Sequence, residues 1–111
     1  RSDLAKTCWN IANLQTAQNN LDGSLENYGK AAEIYEKLAA EEPTNPRHLR
    51  NVALTNKNIG SVLQLRGDYE KALSHFDKSL EIDAENARKN PNDVSAQLDL
   101  SFTYGTIASA L

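Results

Sequence analysis

Few residues of this sequence are of a type that could do chemistry. There is one cysteine, Cys8, and there are two histidines, His48 and His75. A nucleophilic cysteine needs a base within hydrogen-bond reach and a lowered pKa. Cys8 instead follows the apolar phase of Ile11 and Ala12, the pattern of a small buried hydrophobe. His48 and His75 fall on helix surfaces with no matching carboxylate and nucleophile, and read as surface residues. Zinc sites of the usual kinds need several Cys or His ligands, so no metal and no cofactor are expected. Glu33, Glu36, Glu41 and Glu42, then Glu70, Asp77, Glu81, Asp83 and Glu85, look like paired carboxylates for acid–base work. On long helices such residues make solvated faces, with i,i+4 partners such as Glu33 with Lys37 and Glu85 with Lys89. There is no Gly-rich phosphate loop, no His-Glu metal motif and no nucleophile elbow. The expectation is a chain that is not an enzyme.

Composition narrows the partners. The 111 residues make one domain's worth of chain, and a quarter of them are charged. No run of 18 apolar residues occurs, so no transmembrane helix is expected. The net charge of −3, with lysines and arginines scattered, points away from nucleic acid and from an anionic membrane. One cysteine cannot close an internal disulfide, and the cytoplasm is the expected location. The chain starts at Arg1 and has no methionine, which reads as a fragment of a longer chain.

The elements that must position any site follow from apolar periodicity and punctuation. Shifted by 48, the sequence aligns with itself: Leu4-Ala5 falls on Val52-Ala53 and Leu100-Ser101, Thr7 on Thr55 and Thr103, Ile11 on Ile59 and Ile107. Leu25, Lys30, Glu33-Ile34 and Pro43 fall on Leu73, Lys78, Glu81-Ile82 and Pro91. A period of this length with helical content throughout means a helical solenoid. Helices are expected over residues 2–18, 22–41, 46–66, 68–89 and from 94 to the end. The left-handed caps are Asn19-Asn20 and Gly67, Asp68 is the cap acceptor of the fourth helix, and Asn45-Pro46 and Asp93 open the third and fifth. Repeat one spans about residues 2–44, repeat two about 45–92, and 93–111 is the first helix of a third. Ile11, Leu14, Ile59, Val62 and Ile107 are expected to face Leu25, Tyr28, Ile34, Leu73, Phe76 and Ile82 in the core.

The stretch Asn58–Leu80 carries the most specific pattern. Asn58, Ile59 and Gly60 are followed by Gly67-Asp68-Tyr69, then Ala72 and Phe76. Small residues at Gly60 and Ala72 let two helices approach closely. This stretch closely resembles a tetratricopeptide repeat. The standard repeat is about 34 residues. Here Pro43 and Pro91 come late, so the chain is similar to long-helix members of the family, like those found in large bacterial multidomain proteins. The resemblance implies an all-α, right-handed α-solenoid of antiparallel helix hairpins with about five helices.

It also implies a function. In this family the first helices of successive repeats line a concave groove for an extended peptide. The implied lining is Lys6, Trp9, Asn13, Thr16 and Ala17, then Leu54, Lys57, Ser61, Gln64 and Leu65, then Phe102, Gly105 and Ser109. Trp9 reads either as a ligand anchor or as packing against a preceding repeat. The carboxylate clamp of chaperone-binding members is matched only at Asn13 and Asn58, with Trp9, Phe102 and Thr106 at its basic positions. The expected function is a non-catalytic scaffold for a protein or peptide partner. The alternatives are self-association, a homo-oligomer formed through the open face of the last helix, and a regulatory segment of a signalling enzyme such as a protein kinase.

Overall fold

A computed structural model describes residues 2–111. Five α-helices follow one another: α1 (Ser2–Ala17), α2 (Leu21–Glu41), α3 (Pro46–Arg66), α4 (Tyr69–Lys89) and α5 (Val94–Ala110). Helices adjacent in sequence are the ones that pack most extensively on each other. That is the rule of a solenoid, in which each hairpin touches only its neighbours. The body measures 38 × 35 × 19 Å. The short dimension is two helix diameters, so the chain forms a two-layer slab of antiparallel helices.

The turns are built as their residues require. Gly67 ends α3 at φ 87°, in the left-handed region. Its N–H bonds the Gln64 carbonyl, and the Asp68 N–H bonds that of Leu63. Asn19 does the same for α1 at φ 61°, with its N–H on Thr16 and the Asn20 N–H on Gln15. Asparagine thus replaces glycine at the equivalent turn. Asn45 caps α3 by accepting from the Arg47 N–H at 3.0 Å, with Pro46 at the start of the helix. Asp93 caps α5 by accepting from Ser95 and Ala96. Asp68 departs from expectation. Its side chain makes no cap hydrogen bond and instead pairs with Arg66 at 3.6 Å.

Two apolar clusters share the interior. One joins Ala12, Tyr28 and Ala32 to Ile59, Val62, Leu63, Ala72 and Phe76. The other joins Ala5, Cys8, Ala31, Tyr35, Leu38 and Val52. Phe76 is fully buried against Gly60, where a Cβ would sit 2.6 Å from the ring. Ile59, Val62, Tyr28 and Phe76 are buried as expected, and Leu25, Ile34, Leu73, Ile82 and Ile107 pack at the edges. Ile11 and Leu14 are corrections: they are 44% and 60% exposed. The buried stripe of α1 is Ala5, Cys8 and Ala12, whose small side chains let α2 lie close. With Leu4, the two larger residues form a separate stripe turned away from it.

Candidate functional site

The first helices of the hairpins supply most of the candidate site, and α2 and α4 add one residue each. A recess of about 500 Å³ is lined by Ser2, Asp3, Lys6 and Trp9 of α1, Arg47, Asn51, Leu54 and Thr55 of α3, and Tyr35 of α2. A second, of about 240 Å³, is lined by Arg47, Arg50, Asn51, Leu54 and Lys57 of α3, with Asp83 and Asp99. Arg47, Asn51 and Leu54 are common to both, so the two recesses adjoin at these side chains and together make the candidate channel.

Lys6, Trp9 and Leu54 line the first recess and Leu54 and Lys57 the second; Phe102 lines neither, but its ring centroid lies 5.2 Å from the Lys57 Nζ. Asn13, Ser61 and Gln64 line neither recess. Asn13 accepts a hydrogen bond from the Tyr28 hydroxyl, which ties its amide to the hairpin interior. Ser61 is exposed and Gln64 half-buried farther along α3.

Electrostatics set the character of the channel. Lys57 is 6% exposed and Asp83 3%, with Nζ 3.2 Å from the carboxylate. Ser79 and Thr103 donate to the same oxygen, so α3, α4 and α5 converge on one buried acceptor. Asp83 is thus a correction to the solvated acidic face, and the charge of Lys57 is already neutralised. Arg50 pairs with Asp99 at 2.9 Å. Arg47 and Lys6 make no ion pair among the described residues and are exposed in the channel, beside the exposed carboxylate of Asp3. Burial pushes the Tyr35 hydroxyl up, so it stays a neutral donor in the channel wall. Trp9 is half-buried against both clusters, and its Nε1–H has no partner among the described residues.

The two histidines sit in different surroundings. His48 is a correction to the surface reading: it is 7% exposed, with Nε2 3.4 Å from Glu42. Burial, then the charge of Lys78, lowers the pKa of His75, whose Nδ1 lies 2.8 Å from Asn56 Oδ1. Cys8 is free and buried. No group of three or more His, Cys, Asp or Glu among the described residues could hold a metal ion. Among the described residues, no helix is long and apolar enough to cross a membrane.

The 48-residue shift holds the signal for what sequence reasoning missed. It carries Trp9, Tyr35 and Thr55 onto the positions of Lys57, Asp83 and Thr103 relative to the hairpins. The aromatic pair beside a threonine at one junction becomes an ion pair beside a threonine at the next. Arg47, Arg50 and Asn51 had no such signal, because they precede the recognisable motif.

Stacked helix hairpins with a channel along their first helices define an α-helical repeat scaffold. The tetratricopeptide repeat pattern matches residues 51–108, and the chain belongs to that family. No curated protein matches it. Repeats of this family generally mediate protein–protein interactions and are typically non-catalytic.

Proposed function

We propose that the chain is a binding scaffold whose channel across α1, α3 and α5 receives an extended peptide. The observation that carries this reading is that the two recesses adjoin at Arg47, Asn51 and Leu54. Leu54 and Trp9 offer apolar surface, Asn51 an amide for a peptide backbone, and Lys6 and Arg47 unpaired positive charge. Lys57 contributes through its stem and through Phe102 rather than as a free cation.

The test is a random peptide library panned against the chain, with each binder measured again on Leu54→Ser and Arg47→Ser. Both side chains are exposed, so the melting temperature should hold while affinity falls about tenfold or more, a loss of ~1.4 kcal/mol or more. Binders that keep full affinity on both variants would place the ligand elsewhere.

A second reading is self-association through α5. Leu98 and Phe102 are each 63% exposed, and Asp99 is the only charged residue from Val94 to Leu111. Light scattering over a hundredfold concentration range separates the two readings. A mass that rises with concentration and falls back in Leu98→Asp favours the second.

A further inference from the structure

We propose that α5 is a latch: it leaves the body as one unit while α1–α4 stay folded, and the hydrogen bond from Thr103 to Asp83 sets how often it opens. Apolar burial does little to hold it. Only Ala96 and Thr103 of α5 are buried, against ten residues of α3. Val94, Leu98, Phe102 and Tyr104 are each more than half exposed, so much of the apolar surface of α5 stays in water and contributes nothing to docking. The first helix, α1, instead buries Ala5, Cys8 and Ala12 and packs Trp9 against both clusters.

What holds α5 is a set of mainly polar contacts spread along its length. Near its start the Gln97 amide donates to the Ala87 carbonyl. Asp99 pairs with Arg50, but both side chains are about a third exposed or more, and such a pair is worth little. In the middle Thr103 donates to the Asp83 carboxylate oxygen that also takes Lys57 and Ser79. This bond is buried on both sides and assisted by charge, so it is the strong one. At the end Ile107 and Ala110 pack at the edge of the first cluster. Contacts at the start, middle and end, on a helix joined to α4 by the four exposed residues 90–93, favour release of the whole helix over fraying from Leu111. A released helix of 17 residues is marginal in water, so opening unwinds it and lets its amides exchange. Opening also takes Asp99 out of the second recess, and any effect on a ligand there rests on the channel reading, whereas the latch does not.

The test is amide hydrogen exchange of the isotopically labelled 111-residue chain, read residue by residue by NMR with no ligand present. In the parent chain the amides from Leu98 to Ile107 should share one protection level, about tenfold or more below that of the α3 amides. Protection that declines steadily toward Leu111 would mean fraying, and a level equal to that of α3 would mean that α5 opens only when everything unfolds; either overturns the latch. Leu38→Ala, a core truncation in the cluster without α5, should lower α3 protection about tenfold or more and leave that of α5 unchanged. Loss of α5 protection in step with α3 would again overturn it. Thr103→Val removes the hydroxyl at nearly constant volume and should speed exchange along α5 about tenfold, while Thr103→Ser, which keeps the hydroxyl, should lose less. Unchanged α5 exchange in Thr103→Val, or equal losses in the two variants, would overturn the role of the Asp83 hydrogen bond.

Discussion

The Lys57 ammonium lies 3.2 Å from the Asp83 carboxylate, and both side chains are less than a tenth exposed. The pair bridges α3 and α4, and Thr103 brings α5 onto the same carboxylate oxygen. Removing one partner of a buried pair leaves the other charge stranded. Lys57→Met alone or Asp83→Leu alone should therefore cost about 3–5 kcal/mol in urea unfolding. The double variant should recover most of that loss, since two apolar side chains avoid the desolvation penalty altogether. A double variant as unstable as either single one would mean that packing, not charge, dominates at this junction.

Gly60 and Gly29 are both helical glycines, and the structure separates them. A Cβ at Gly60 would sit 2.6 and 2.8 Å from two atoms of the Phe76 ring, which is fully buried and cannot withdraw. Gly60→Ala should destabilise by about 1–3 kcal/mol, the cost of overpacking. A Cβ at Gly29 meets nothing within 4 Å. Gly29→Ala should stabilise by about 0.5–1 kcal/mol through helix propensity alone. Thermal melts of the two variants check the opposite signs.

The fold was legible because its signals are local. Gly67 and Asn19 announce left-handed caps, and Asn45-Pro46 and Asp93 announce helix starts, whatever the tertiary context. The period of 48 then stacks the pieces. Rotation about the helix axis was less legible. In α1 the large Ile11 and Leu14 outweigh Ala5, Cys8 and Ala12 on any hydrophobicity reading, yet the small residues are the buried ones. At the candidate site, Lys6, Trp9, Leu54 and Lys57, which the family resemblance implies as groove residues, line one or other recess. The neutralisation of Lys57 was not legible, because Asp83 lies a hairpin away and reads as one carboxylate among many. The acceptor role of Asn13 depends on Tyr28 in the same way.

His75 gives the stability a pH dependence of known sign. Burial, and then the charge of Lys78, lower its pKa below the ordinary 6.5. Because Asn56 Oδ1 can only accept, Nδ1 carries the proton in the neutral ring. With the folded value below the unfolded one, the unfolded chain binds more protons between the two, and stability falls as pH falls through that window. The contribution is complete above about pH 6.5. The stability difference between the parent chain and His75→Gln, measured by urea unfolding from pH 8 to pH 5, should narrow on acidification. A difference independent of pH would show that the ring titrates alike in both states.

Helix starts offer the last comparison, because three connections use similar residues differently. Asn45 accepts from the Arg47 N–H, and Asp93 accepts from Ser95 and Ala96. Asp68 occupies the same position before α4 but turns toward Arg66. A capping side chain satisfies an N–H that has no partner inside the helix, so Asn45→Ala and Asp93→Ala should each cost about 1 kcal/mol. Asp68→Ala removes an exposed ion pair, worth about 0.2–1 kcal/mol. Salt separates the two mechanisms. Added sodium chloride should shrink the effect of Asp68→Ala by screening, while that of Asn45→Ala, a neutral hydrogen bond, should persist. Chemical denaturation with urea at low and high ionic strength reads both. An Asp68→Ala loss as large as that at Asn45 and insensitive to salt would mean that Asp68 caps α4 in solution after all.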